Sequence, residues 1–189
     1  PFAWVNNPAK SMAAAAGGCV LISNEALTKI GGIASIKNAL IDDCTLAQAV
    51  KSDGKNIYLG LSETTISLRG YDNLKVIWDT IARTAYTQLN YSPLLLAGTV
   101  IGMVIIYLIA PIGMAWGLVT SNWLVFGICT VTWLLMIWAY LPTIKLYKIS
   151  PAWAGLLPAI AFLYTLMTID SALKYYQGQG GAWKGRTYN

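Results

Sequence analysis

Leu94-Leu95-Leu96-Ala97-Gly98-Thr99-Val100-Ile101-Gly102-Met103-Val104-Ile105-Ile106-Tyr107-Leu108-Ile109-Ala110-Pro111-Ile112-Gly113-Met114-Ala115-Trp116-Gly117-Leu118-Val119 contains no charged side chain. Roughly twenty residues, rising about 1.5 Å each, cover the ~30 Å of hydrocarbon in a bilayer. This run is therefore long enough to span one. Residues 123–141 and 152–169 are likewise free of charge and approach the same length. Inside lipid every main-chain polar group must be satisfied internally, and the chain has too few strands to close a barrel, so three transmembrane helices are predicted. Pro111 and Pro158 are expected to kink these helices or to mark where one is shorter than its apolar run. Trp116, Trp123, Trp138, Tyr140, Tyr147 and Trp153 stand near segment ends, as an aromatic belt does.

The composition around that core agrees. Of 189 residues, 56% are hydrophobic and 11% charged, whereas soluble domains carry roughly a quarter charged residues. Eight of the thirteen Lys/Arg and seven of the eight Asp/Glu precede residue 94, which leaves an apolar, basic second half. Its cations, Lys145, Lys148, Lys174, Lys184 and Arg186, flank apolar runs and form no patch interleaved with exposed aromatics. Nucleic acid is therefore not an expected partner, and anionic membrane lipids are. Three scattered cysteines form no disulfide framework or zinc motif, and the absence of histidine excludes His-based general bases and the usual His-containing metal sites.

The loop between the second and third segments carries Lys145 and Lys148, which by the positive-inside rule puts it and residues 1–93 on the cytoplasmic side. Three full crossings would then carry Lys174, Lys184 and Arg186 outside. A complete third crossing and a re-entrant third segment are both open at this stage. The chain begins at Pro1 with neither Met nor a signal core, which leads us to expect part of a longer polypeptide.

Upstream, the pattern predicts an α/β texture. Gly17-Gly18 leads into a short apolar strand at Val20-Leu21, residues 24–30 read as a short helix, and Gly31-Gly32 stops it. Residues 43–51 read as a helix capped by Asp43, followed by a turn at Asp53-Gly54-Lys55. Ile57–Leu61 and Thr64–Leu68 read as strands. Asp72 to Asn90 is amphipathic: Leu74, Ile77, Trp78, Ile81, Ala82, Ala85 and Leu89 recur at helical spacing, opposite Lys75, Asp79, Arg83 and Thr87. It is expected to lie along the membrane surface, with Trp78 and Tyr86 near the headgroups.

Several residues have the chemistry for a site. Asp42-Asp43 opens a helix, where free N–H groups favour an ionised carboxylate able to accept a proton. On spacing alone the pair reads first as an N-cap and a solvated neighbour, and only second as a base. Gly17-Gly18 reads as a turn or as a place where a ligand meets bare backbone. Arg83 reads as a solvated arginine or a phosphate ligand. Trp183, Lys184 and Arg186 suit lipid headgroups or a pyrophosphate.

Taken in order, Pro1-Phe2-Ala3-Trp4-Val5-Asn6, Ala15-Ala16-Gly17-Gly18-Cys19, Gly31-Gly32, Ala39-Leu40-Ile41-Asp42-Asp43-Cys44, Ala82-Arg83-Thr84-Ala85, the three apolar segments and Ala182-Trp183-Lys184-Gly185-Arg186 resemble the second half of a membrane-bound family 2 glycosyltransferase. The resemblance covers essentially the whole chain. It points to the hopanoid-biosynthesis-associated branch, which is similar to ceramide glucosyltransferases. It implies an α-helical membrane protein with a small α/β portion. Residues 1–71 would be a partial GT-A-like, acceptor-side catalytic region, 72–93 an amphipathic interface helix, and 94–189 three transmembrane helices with a basic tail.

The resemblance further implies that Asp43 deprotonates an acceptor hydroxyl for an inverting attack on a hexose anomeric carbon, with Asp42 as its acidic neighbour. Gly17, Gly18 and Cys19 would line the acceptor side. Arg83 falls at the arginine of a Gln/Arg-x-x-Arg-Trp motif, here with Thr80 and Thr84 at its first and last positions. With Trp183, Lys184 and Arg186 it would bind the donor diphosphate. Such enzymes hold the nucleotide sugar in an N-terminal Rossmann-like half with a metal-binding Asp-x-Asp, a motif not found in these 189 residues. The expectation is therefore no cofactor in this chain, with Mg or Mn joining only beside the missing half, and no activity from this chain alone. The expected acceptor is a membrane lipid or polyisoprenoid, in the bacterial cytoplasmic membrane. A second expectation, from another class, is a truncated remnant acting as a structural subunit of a larger membrane-protein complex. A transporter is less favoured, since the segments hold no buried charge and no inverted repeat.

Overall fold

The computed structural model describes residues 2–66 and 70–179, together with the backbone of 182–183 and 186–187. The chain divides into two compact units, Pro1–Asp72 with Gly181–Asn189, and Asn73–Gly180.

The first unit is built from short helices: α1 (Phe2–Val5), α2 (Asn24–Lys29), a 3-10 turn (Ile33–Ile36) and α3 (Asp42–Ser52). Ser23 caps α2 by accepting from the Ala26 N–H at 3.2 Å. The chain then leaves α2 as the glycine pair predicts: Gly31 and Gly32 take φ of 87° and 73°, and the Gly32 N–H reaches back to the Leu27 carbonyl at 2.8 Å. That six-to-one bond needs a left-handed residue, which glycine supplies without a Cβ clash. Gly54 ends α3 in the same way, with φ 81° and the Lys55 N–H on the Val50 carbonyl at 3.3 Å. Leu46, Ala47 and Val50 turn the buried face of α3 inward, beside Val5, Ala26 and Ile36.

The expected strands do not form. Residues 19–23 and 55–62 have no ladder partner, and Leu21 is wholly exposed. A strand is stable only beside another strand, and among the described residues none lies next to these. Leu59 instead finds its partners in one side chain: the Asn6 amide donates to its carbonyl at 3.0 Å and accepts its N–H at 2.7 Å. Residues 64–66 are likewise not a strand, and 67–68 lie outside the described residues. The α/β texture is therefore replaced by helices and extended chain. The backbone of Ala182–Trp183 does pair antiparallel with Arg186–Thr187.

The second unit holds three helical stretches long and apolar enough to cross a membrane: Pro93–Val119, Trp123–Leu146 and Pro151–Tyr176. Leu94, Val119 and Leu124, at 81%, 82% and 73% exposure, show apolar surface of a kind water does not tolerate in such a density. The first stretch is α5 (Pro93–Met103), a π turn (Val104–Leu108) and α6 (Ile109–Val119). Pro111 cannot donate to the ladder and crowds the carbonyl four residues back. The π turn, in which Ile109 N–H reaches the Val104 carbonyl, lets the helix run on through it. Pro158 lies in the first turn of α8 (Leu157–Tyr176), after a 3-10 turn at Pro151–Leu156, and so marks a boundary. The second stretch, α7 (Trp123–Leu146), runs past its apolar run and contains Pro142.

Small residues bring α6 and α7 together. A Cβ on Gly117 would stand 2.6 Å from the Phe126 main-chain N, and one on Gly113 would stand 2.5 Å from Cys129 Sγ. Gly113 and Gly117 are thus a Gly-x-x-x-Gly face on which α7 rests.

The amphipathic helix is α4 (Leu74–Gln88), capped by Asn73, whose side chain accepts the Val76 N–H at 3.0 Å. Its buried face rests on α8. Trp78 Nε1 donates to Asp170 Oδ2 at 2.7 Å, and Lys174 Nζ pairs with the same oxygen at 2.9 Å. Tyr86, expected near headgroups, is only 1% exposed and faces protein. Its hydroxyl donates to the Tyr91 carbonyl at 2.8 Å and shares a 2.9 Å hydrogen bond with the Tyr176 hydroxyl. The bond to Tyr176 and then burial push the Tyr86 phenol up to about 12, so it stays neutral across ordinary pH.

The Gly113 Cβ position lies 3.7 Å from Cys129 Cβ, inside the range of about 3.5–4.5 Å that disulfides adopt. Gly113→Cys, with Cys19 and Cys44 changed to Ser, should therefore form an intramolecular disulfide to Cys129 when membranes are oxidised. Mass spectrometry of the digested chain reads the bond, and a free thiol pair under oxidant would disprove this helix contact.

Candidate functional site

The helix that carries Asp42 and Asp43 begins one residue earlier than the sequence suggests. The residue at its N-cap is Ile41, which has no side-chain acceptor, so Asp43 is not the cap. The Ile41 carbonyl starts the helix by accepting the Thr45 N–H at 3.1 Å and the Thr45 hydroxyl at 2.8 Å. The free N–H groups of the first turn are met by the two aspartates from inside it. Asp42 Oδ1 accepts the Asp43 N–H at 3.0 Å, and Asp43 Oδ1 accepts the Cys44 N–H at 2.7 Å.

The other oxygen of Asp43 reaches across 26 residues to accept the Gly17 N–H at 2.7 Å. Glycine permits this approach, because a Cβ at residue 17 would stand 2.9 Å from that oxygen. Each carboxylate oxygen of Asp43 thus accepts one main-chain N–H and retains a further lone pair. The carboxylate is held in place by backbone on two sides, half-buried, while Asp42 is exposed.

Gly17 and Gly18 form a turn closed by the Cys19 N–H on the Ala16 carbonyl at 3.0 Å. A Cβ on Gly18 would meet nothing within 4 Å, so the space over it is open, and Cys19 is exposed. Cys44 differs. Burial pushes its thiol up; the backbone hydrogen bond at Ala15 pulls the other way, and the neighbouring Asp43 charge raises it further. Leading away from the turn, Ala14 and Ala15 line an apolar cavity of about 560 Å³ with Ile22, Leu46, Val50 and Tyr58.

Two residues that sequence reasoning gave no role hold this region. Asn6 binds both main-chain groups of Leu59. Lys51 Nζ donates to the carbonyls of Val5 at 2.6 Å and Met12 at 2.8 Å. Asn6 closes a stretch that carries the resemblance and Lys51 suits the end of a helix dipole, but neither signal foretells these long-range contacts.

Of the expected site residues, Asp42, Asp43 and Gly17 come together, and Gly18 and Cys19 continue the same turn. Arg83 is carried by α4, in the second unit, and is half-buried there. Lys184 and the side chains of Trp183 and Arg186 lie outside the described residues. Among the described residues no three or more His, Cys, Asp or Glu side chains gather to hold a metal ion.

Residues 5–189 match the family model described as Glycosyl transferase family 21. The sequence resemblance is met at the level of a glycosyltransferase family, with 21 in place of 2 as its number. No curated protein and no solved structure matches.

The difference between the two thiols of the first unit is measurable. Cys44, half-buried with a raised thiol, should react with a soluble maleimide at neutral pH at least several-fold more slowly than the exposed Cys19. Asp43→Asn should narrow the gap by removing the neighbouring negative charge. Equal rates in the unaltered chain would contradict this packing of Cys44.

Proposed function

The chain belongs to glycosyl transferase family 21, and from that premise we propose that it supplies the acceptor side of a hexosyl transfer to a membrane lipid. The observation that carries the reading is the Asp43 carboxylate, fixed by the Gly17 and Cys44 N–H groups beside open space over Gly18. Fixed orientation matters because a general base must stand within hydrogen-bond reach of the proton it removes. Asp43 takes the proton of the acceptor hydroxyl as that oxygen bonds to the hexose anomeric carbon. The bond from that carbon to the nucleoside diphosphate breaks, and the configuration inverts. Asp42 adds negative charge beside the base, and Gly17, Gly18 and Cys19 line the acceptor.

Arg83, Trp183, Lys184 and Arg186 are assigned to the donor diphosphate, whose charge suits Arg and Lys donors. The donor's nucleoside and its divalent cation, Mg or Mn, are assigned to polypeptide other than these 189 residues, since the sequence contains no Asp-x-Asp. No step here runs through that cation. The acceptor is a membrane lipid or polyisoprenoid, in a bacterial cytoplasmic membrane, with residues 1–93 on the cytoplasmic side. Lys145 and Lys148 support that orientation. The same missing Asp-x-Asp favours a second reading, a structural subunit of a larger membrane assembly.

The two readings separate in one assay. With the donor-binding polypeptide present and labelled nucleotide hexoses supplied to membranes, Asp43→Asn should lower lipid-linked label by about 10²- to 10⁴-fold, the usual worth of a general base. Asp42→Asn should lower it less. Undiminished transfer by Asp43→Asn would refute the assigned base, and no transfer by the unaltered protein with any donor would favour the subunit.

A further inference from the structure

The two ends of the apolar region meet. Tyr91, two residues before α5, stacks on Tyr175 near the end of α8, with ring centroids 4.6 Å apart. Next to them the hydroxyls of Tyr86 and Tyr176 are 2.9 Å apart. The Tyr86 N–H also donates to Ser171 Oγ at 3.0 Å. A chain that completed three crossings would leave on the face opposite its entrance, separated by about 30 Å of hydrocarbon. Rings in contact cannot stand on both faces.

We propose that Pro151–Tyr176 does not cross the bilayer: it enters the apolar layer and returns to the face from which α5 sets out. Four observations select this segment. First, no residue in the most apolar window of Trp123–Leu146 is fully buried, whereas 28% of that in Pro151–Tyr176 is. An apolar helix of 24 residues that leaves so much surface open beside α6 is matched by lipid only when it spans. Second, α8 packs on α4, on α5 and on the π turn, so one face of it, from Pro158 to Ala172, is sheltered by the rest of the unit.

Third, the segment begins with a 3-10 turn, Pro151–Leu156, in which Ala154 is fully buried while Pro151, Ala152, Trp153 and Leu156 are exposed, and this turn packs on α7. Irregular backbone with so little protein cover is not tolerated deep in hydrocarbon, which keeps the start of the segment near the face. Fourth, the return brings Lys145, Lys148 and Lys174 to one face. Lys174 is tied there to Asp170 at 2.9 Å, and Asp170 to Trp78 of α4 at 2.7 Å. A full third crossing would divide these cations between the two faces, against the usual bias. The consequence is that the polypeptide before α5 and the polypeptide after α8 share one aqueous compartment.

Single cysteines read this directly. In the full chain, with Cys19, Cys44 and Cys129 changed to Ser, the exposed positions Ser52, Ser121, Ser150 and Gln177 are each changed to Cys. Sealed vesicles of both orientations are then treated with a membrane-impermeant maleimide. Ser52→Cys, Ser150→Cys and Gln177→Cys should label from one side, and Ser121→Cys only from the other. Labelling of Ser150→Cys and Gln177→Cys from opposite sides overturns the proposal, as does a Ser121→Cys that shares the side of the other three. A C-terminal epitope on the otherwise unaltered chain, digested by protease from either side, checks that the substitutions have not changed the topology. The epitope should be cleaved from the side that labels Ser52→Cys; cleavage only from the opposite side also overturns it.

Discussion

Hydrocarbon offers a peptide group nothing to bond to, and the second unit is shaped by that deficit. Each N–H and C=O that lies in hydrocarbon must find its partner within the protein, so the chain coils there. Departures from the α-helix occur where something else meets the need. Beside Pro111 the ladder widens into a π turn. At Pro151–Leu156 the tighter 3-10 turn is accepted near the membrane face, with Ala154 enclosed by protein. Between α6 and α7 the chain turns through Ser121 at φ 55°, and Asn122 caps the new helix by accepting the Val125 N–H at 3.2 Å.

Helices in lipid gain little from hiding apolar surface, since the tails are equally apolar, so contact and polar pairing must hold them together. This unit uses both. Gly113 and Gly117 remove the side chains that would keep α7 away. Trp78, Asp170 and Lys174, with Tyr86, Ser171 and Tyr176, bind α4 to the end of α8 through hydrogen bonds. Water competes poorly at the buried members of that set, Tyr86 and Ser171, which makes losing a partner there costly.

The first unit answers a different version of the same deficit. Its described residues 2–66 have extended chain but no strand ladder, so side chains stand in for it. Asn6 does this for Leu59, Lys51 for the carbonyls of Val5 and Met12, and Asp43 for the N–H groups of Gly17 and Cys44. The carboxylate assigned to catalysis is therefore also a structural bond. That double role explains why its neighbour across the turn is a glycine: anything larger would displace the oxygen that the N–H holds.

By itself the sequence determined what depends on runs and spacing. The uncharged stretches, the Asp72–Asn90 amphipathic pattern, the Gly31-Gly32 and Gly54 stops and the pairing of an aspartate doublet with a helix start were legible, because each rests on local composition or a fixed period. Tertiary structure alone decided the rest. Ile57–Leu61 has strand composition, yet a ladder requires a neighbour that only the folded chain can supply or withhold. The contact of Asp43 with Gly17 spans 26 residues, and that of Tyr86 with Tyr176 spans 90. No period in a sequence encodes which distant groups will meet, since that is settled by how helices pack once their local shapes exist.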